Sequence, residues 1–253
     1  MIKTFAAAWR FLTAFPFLWP PGDDEGECLR RAPSAFPLVG LVLGLCAAGL
    51  AWVFLRLFPA APSAALVVSA LALFSLGLHM DGLTDCADAL MSPGRSRERA
   101  LEVMKDSRIG AHGAMALVLL LLIKFGALAS LAPDTLIWTA LAMPVAGRAA
   151  MLFPMTLLPY ARAEGLGKAF GIDRPRRTLA FGIVFTVGCL WLCLGWRGGI
   201  AALALWLATA LGWVWFLRRR LGGATGDCYG ASCELAEAVV ALAASVHLGG
   251  MGL

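Results

Sequence analysis

The chain has 253 residues, 60% of them hydrophobic and only 15% charged, with a formal net charge of +5. Apolar residues at that density, lying in continuous blocks, exclude a soluble globular domain and predict an all-α polytopic membrane protein. The positive balance needs no nucleic acid, because the basic residues gather in loops on one side of those blocks.

In chain order, residues 2 to 15 place Phe5, Trp9 and Leu12 on one helical face. That stretch reads either as an amphipathic helix lying flat at the interface or as a short helix packed on the bundle. Arg10 interrupts its apolar run and no small-residue cleavage site follows, so it is not a signal peptide. Gly22 to Glu27 reads as an exposed loop. A span needs roughly 20 apolar residues. Seven are predicted, at about 35 to 58, 62 to 80, 111 to 132, 134 to 159, 178 to 196, 199 to 217 and 235 to 252. Ser96 to Asp106 carries enough charge to form a surface helix between the second and third.

Seventeen of the twenty-one Lys and Arg residues fall before the first span or in the loops after the second, fourth and sixth. This predicts a cytoplasmic amino terminus, an external carboxy terminus and a single integral membrane domain over residues 1–253, without internal repeats. Lys124 is expected near the outer surface, where it can snorkel. Arg148, inside the fourth block, is expected to be paired or functional. His247 is expected to satisfy a local hydrogen bond. Seven cysteines form no Cys-x-x-Cys pair, and the cytoplasmic placement of four of them argues against disulfides. Cys189 and Cys193 read as small packing residues within an apolar span.

Function is constrained most by His79-Met80-Asp81-Gly82-Leu83-Thr84-Asp85-Cys86-Ala87-Asp88. Asp81, Asp85 and Asp88 are spaced i, i+4, i+7, which puts three carboxylates on one helical face. Beside a bilayer such a set is costly unless a cation neutralises it. Mg²⁺ suits it, since that ion takes oxygen ligands and is shared between one or two carboxylates and substrate phosphates. His79 reads as a ligand, a general base or a hydrogen-bonded interfacial residue.

Three further polar loops share that side. Lys105-Asp106-Ser107-Arg108-Ile109-Gly110-Ala111-His112-Gly113 sets cations beside glycines whose amides can approach phosphate oxygens at a helix start. Tyr160 to Lys168, with Arg162, Glu164, Gly165 and Gly167, is a second candidate phosphate or nucleotide contact. Gly222-Gly223-Ala224-Thr225-Gly226-Asp227 is dense enough in glycine to close around a ligand, and it leads into Glu234 and Glu237.

These residues together resemble the cobalamin synthase family, also called cobamide 5′-phosphate synthase or adenosylcobinamide-GDP ribazoletransferase, over nearly the whole chain. The resemblance rests on Phe11-Leu12-Thr13, Phe36-Pro37-Leu38-Val39-Gly40, the motif from His79 to Asp88, Asp106-Ser107-Arg108-Ile109-Gly110 with His112-Gly113, Glu164-Gly165-Leu166-Gly167, and Gly222 to Asp227 with Glu234. One departure is Ala89, where the family often places glycine. The resemblance implies that α-ribazole or its 5′-phosphate attacks adenosylcobinamide-GDP and releases GMP, with Mg²⁺ as cofactor. It implies metal ligation by Asp81, Asp85, Asp88 and Glu234. Proton transfer falls to Asp88, His79 or Asp227, and substrate phosphate contacts to Lys105, Arg108, His112, Arg162, Gly223 and Thr225. It further implies a multi-pass protein of the bacterial inner membrane with a cytoplasmic active site. Expected partners are the two substrates, membrane lipid, and either further copies of the chain or other cobamide-assembly enzymes. Two rivals stand beside this reading: a lipid enzyme of the CDP-alcohol phosphotransferase kind, and an ion or metabolite transporter using Asp81, Asp85 and His79.

Overall fold

The computed structural model describes residues 2–16, 25–91, 96–106, 108–165, 167, 170 and 175–248. Arg95, Ser107, Leu166, Lys168 and Arg174, the Gly22 end of the expected loop, Gly249 to Gly252 and the side chain of His247 lie outside the described residues. Among those described, every extended element is helical, and one isolated parallel bridge joins Tyr160 to Ala224. The helices are α1 (Ile2–Leu12), α2 (Glu25–Arg31), α3 (Phe36–Leu57), α4 (Ala60–Phe74), α5 (Leu78–Leu90) and α6 (Arg97–Val103). They continue as α7 (Ala111–Ala129), α8 (Pro133–Ala150), α9 (Leu152–Leu157), α10 (Pro175–Leu221) and α11 (Gly226–Leu248).

Proline and glycine set most of the boundaries. α3 and α8 each carry proline in the first turn, where a missing N–H costs nothing. α3 lies directly on α8 because Gly40 and Gly44, one turn apart, leave room for its backbone. A Cβ on Gly40 would meet the Pro144 carbonyl oxygen at 2.5 Å, and one on Gly44 would strike that of Leu141. The predicted span at 62 to 80 ends early. Leu76 and Gly77 adopt left-handed backbone, with φ of 47° and 74°. The Gly77 amide donates to the Ala72 carbonyl at 2.9 Å and the Leu76 amide to that of Leu73 at 3.1 Å. Those paired bonds close the end of α4, and α5 leaves at 88° to it. The acidic motif thus has a short helix of its own.

The 47 residues of α10 cannot be one straight rod, which would be roughly 70 Å long. Gly195, with φ 68° and ψ −179°, turns the chain back on itself. A Cβ on Gly199 would lie 3.1 Å from the Trp191 Cα. Both limbs pack on the α8–α9 segment: Gly182 sits over Leu152, and Trp206 donates its indole N–H to the Ala146 carbonyl at 2.9 Å. The reversal accounts for the two spans predicted at 178 to 196 and 199 to 217. Among the described residues five helices are long and apolar enough to cross a membrane, or six with the bent α4–α5 pair, against the seven predicted, and α10 is divided into two limbs at Gly195.

Of the two readings of residues 2 to 15, the structure realises packing on the bundle. Ala6, Ala7, Ala8 and Leu12 of α1 are buried, and the Phe11 ring lies 4.3 Å from that of Phe170. The expected surface helix is α6, whose first turn is capped by the Ser96 hydroxyl accepting from the Arg99 amide at 3.2 Å.

Candidate active site

The loops after α5, α9 and α10 meet at one end of the bundle. The Ala224 amide donates to the Pro159 carbonyl and the Ala161 amide to the Ala224 carbonyl, each at 2.9 Å. Gly223 permits this pairing, since a Cβ there would fall 2.6 Å from the Pro159 oxygen. Arg97, Arg218 and Arg220 donate to the carbonyls of Ala161, Leu157 and Leu90, so part of the basic excess caps these loops.

Across this end, α5 and α11 cross in close contact. A Cβ on Gly82 would lie 2.7 Å from the Asp227 carbonyl oxygen, and one on Gly230 would lie 3.2 Å from the His79 Cα. Reciprocal glycines at that spacing let the two backbones touch. The contact brings Asp227 beside the acidic face of α5, so that Asp85 has Asp81, Asp227 and Asp88 as charged neighbours and Arg162 as the opposing cation. Asp81 is exposed, while Asp85, Asp88 and Asp227 are half-buried. Arg162 holds Asp227 at 2.7 Å and reaches the Met104 carbonyl at 3.3 Å, leaving its Nε without a partner. Thr225 donates to the same Asp227 oxygen at 3.2 Å and accepts from the Cys228 amide at 3.4 Å, capping α11.

Asp88 is engaged differently. Its carboxylate accepts from the Gly110 amide at 2.7 Å and the Gly113 amide at 2.9 Å, satisfying donors at the start of α7. A Cβ at either glycine would collide with that carboxylate. The amides expected to approach phosphate therefore grip an acidic side chain of the chain itself. Arg108 pairs with Asp106 at 2.7 Å on the exposed rim and holds that carboxyl down at about 2. Lys105 is exposed and His112 half-buried at the same rim. In the second loop, Gly165 and Gly167 pack against the Tyr160 ring, and Glu164 is exposed.

Two expectations need correction. Glu234 is bonded to Lys124 at 2.6 Å, with side-chain exposures of 5% and 1%. Seven residues beyond Asp227, it lies about two turns further along α11, on the order of 10 Å from the acidic cluster. Lys124 does not snorkel: its ammonium also binds Glu237 at 2.7 Å, and Arg148 pairs with Glu237 from α8. Buried cations in a membrane bundle seek carboxylates before they reach for the surface. His79 is buried against this network with neither ring nitrogen hydrogen-bonded.

Residues 4–245 match the family described as Cobalamin-5-phosphate synthase. The chain belongs to that family. Among its curated relatives is an adenosylcobinamide-GDP ribazoletransferase of Roseiflexus sp. (strain RS-1), 42% identical over 93% of this chain and 86% of that protein. Proteins of the same description from Pseudomonas savastanoi pv. phaseolicola and Geotalea daltonii are 40% and 39% identical, covering 94% and 99% of this chain and 97% and 99% of their own lengths. No solved structure matches. The match decides against both rival readings. Within this cobalamin-5-phosphate synthase fold, α5, α11 and the Arg162 loop bring Asp81, Asp85 and Asp227 to one face. Gly223 and Thr225 shape that face, with Lys105, Arg108 and His112 at its rim.

Sequence reasoning missed the Lys124–Glu234–Glu237–Arg148 cluster as a unit. The available signal was numerical: two cations and two anions isolated in apolar blocks can neutralise one another. It also missed Cys86 and Cys228, which meet with sulfurs 3.9 Å apart where α5 crosses α11.

Proposed function

We propose that this protein is an adenosylcobinamide-GDP ribazoletransferase, joining α-ribazole or α-ribazole 5′-phosphate to adenosylcobinamide-GDP with release of GMP. The observation that carries the reading is the convergence of Asp81 and Asp85 on Asp227 and Arg162 where α5 crosses α11. The donor set suits Mg²⁺, since it is all carboxylate oxygen, clustered and partly solvated. Among the described residues no three groups converge into a ready-made cage, so substrate phosphates would have to complete the coordination of the ion. Asp81 and Asp85 would hold it. When bound, Mg²⁺ supplies neutralisation of the diphosphate and of charge developing on the departing GMP.

The remaining work falls to the chain. Asp88 is occupied by two amides and His79 is buried, whereas Asp227 commits one oxygen to Arg162 and Thr225 and leaves Oδ1 for the proton of the attacking ribose hydroxyl. Arg162 pairs with Asp227, and its guanidinium would contact substrate phosphate. Lys105, Arg108 and His112 offset charge at the rim as GMP leaves. The excess of Lys and Arg in the loops at this end supports a cytoplasmic site at the inner membrane.

The test is an assay of purified protein in lipid with both substrates, with and without Mg²⁺, following GMP and corrinoid product. The wild type should form both only with Mg²⁺, and Asp81→Asn or Asp85→Asn should lower the rate by about 10²–10³-fold, as for loss of a principal charge-stabilising group. Full activity of both variants with unchanged Mg²⁺ dependence would overturn the metal assignment.

A further inference from the structure

The buried charges lie well below the acidic site. Lys124 is eleven residues past Gly113 on α7, and Glu237 ten residues past Asp227 on α11, each roughly 15 Å along its helix. Eleven residues are close to three full turns, so Gly113 and Lys124 occupy one face of α7; Leu120 of the same stripe is buried too. On α11 the spacing of Asp227, Gly230, Glu234 and Glu237 is i, i+3, i+7, i+10, again a single stripe. Two polar tethers therefore fix α7. At its start, Gly110 and Gly113 hold Asp88 of α5. About three turns below, Lys124 holds Glu234 and Glu237 of α11, while Arg148 of α8 balances the second glutamate. The charges cancel within the cluster. A neutral ion cluster of this kind adds little net stability over apolar residues of the same shape, but it does specify register, because any slide leaves a charge unpaired.

We propose that Lys124 is a positioning residue for the active site: its two ion pairs, to Glu234 and Glu237, set the depth of α7 against α11, and with it the seating of Asp88 and the spacing of the carboxylates on α5 from Asp227. The catalytic consequence rests on the function proposed above, while the positional one stands apart from it. The clearance at the top is small, since a Cβ on either glycine already collides with Asp88. A shift of α7 by a fraction of its rise per turn thus breaks the grip on Asp88.

The experiment uses the double variant Lys124→Met/Glu234→Gln, which leaves Arg148 and Glu237 as a balanced pair, in the full chain in lipid. Hydrogen exchange is read in the peptide containing Gly110 and Gly113, with α3 as the internal reference, alongside GMP release against Mg²⁺ concentration. The expected result is exchange about tenfold faster at Gly110 and Gly113 only, a thermal midpoint near that of wild type, and kcat lower by about 10²-fold with a raised Mg²⁺ requirement. Lys124→Arg, which keeps the cation, should restore most of the protection. Unchanged exchange at Gly110 and Gly113, or a rise spread equally over α3, would overturn the proposal. If the double variant fails to fold, Glu234→Gln alone removes one of the two bonds and should give a smaller rise in the same peptide; no rise there overturns it equally. A wild type that releases no GMP but shows the localised exchange change in the variant would instead refute the proposed reaction and uphold the tether.

Discussion

Two glycines in α7 give opposite answers to one substitution. Gly113→Ala introduces a methyl that collides with the Asp88 carboxylate and lies 2.9 Å from the Thr84 carbonyl oxygen, an atom of the α5 backbone that cannot swing aside. Asp88 must then release the amides of Gly110 and Gly113. Hydrogen bonds to a charged group contribute about 1.5–3 kcal/mol each, so two cost ~3–6 kcal/mol. Replacing glycine by alanine in a helix returns up to ~1 kcal/mol, which leaves a net loss of ~2–5 kcal/mol. Gly126→Ala meets nothing within 4 Å in the same helix and should be neutral or stabilising by up to ~1 kcal/mol. The assay is reversible unfolding of the purified protein in mixed micelles, titrated with a denaturing detergent and followed by the fluorescence of its nine tryptophans. In an Asp88→Ala background the penalty at Gly113 should fall to that of the contact with Thr84 alone, which a double-mutant cycle measures directly. Equal unfolding free energies for Gly113→Ala and Gly126→Ala would refute the argument that Asp88 is seated on those amides.

Other consequences are open to the same instruments. Gly82→Ala forces α5 away from the Asp227 carbonyl and should cost ~1–3 kcal/mol in the same unfolding titration. GMP release should also fall, because the carboxylates of α5 and Asp227 are separated. Arg148→Met strands Glu237 with only Lys124 to serve both glutamates, and unfolding should be easier by ~3–5 kcal/mol; Arg148→Met/Glu237→Gln should recover most of that loss. Arg162→Ala should lower kcat by about 10²-fold or more and raise the KM for adenosylcobinamide-GDP, since Arg162 holds Asp227 and, in the proposed reaction, contacts substrate phosphate. A normal kcat in that variant would remove Arg162 from the site.

What was legible in the sequence was what depends on local pattern. Hydropathy located the spans because a bilayer demands long apolar runs, and the gaps it left at 59 to 61 and 197 to 198 lie at or beside the Pro59 and Gly195 where the chain turns. The one-face triplet Asp81, Asp85 and Asp88 was legible because helical periodicity alone creates it. Which partner each carboxylate would take was not legible. Asp88 is twenty-two residues from Gly110, and Lys124 more than a hundred from Glu234. Such pairings are decided by how helices cross, and Gly82 and Gly230 fix that crossing through contacts that leave no periodic trace. The break after Phe74 was hidden for a related reason: Leu76 is an unremarkable apolar residue whose left-handed backbone is imposed by the turn it caps.

The pairing of Lys124 with α11 also orders events during synthesis. The ribosome makes α7 about a hundred residues before Glu234 and Glu237 exist, so Lys124 enters the bilayer without its counter-ions, at a cost of roughly 2.5–3.5 kcal/mol on insertion scales. Arg148 follows in the same condition. Two nascent spans thus wait, each poorly suited to lipid, for α11 to neutralise them. α11 supplies both carboxylates, so a chain stopped before it is left with two orphaned cations in its apolar spans.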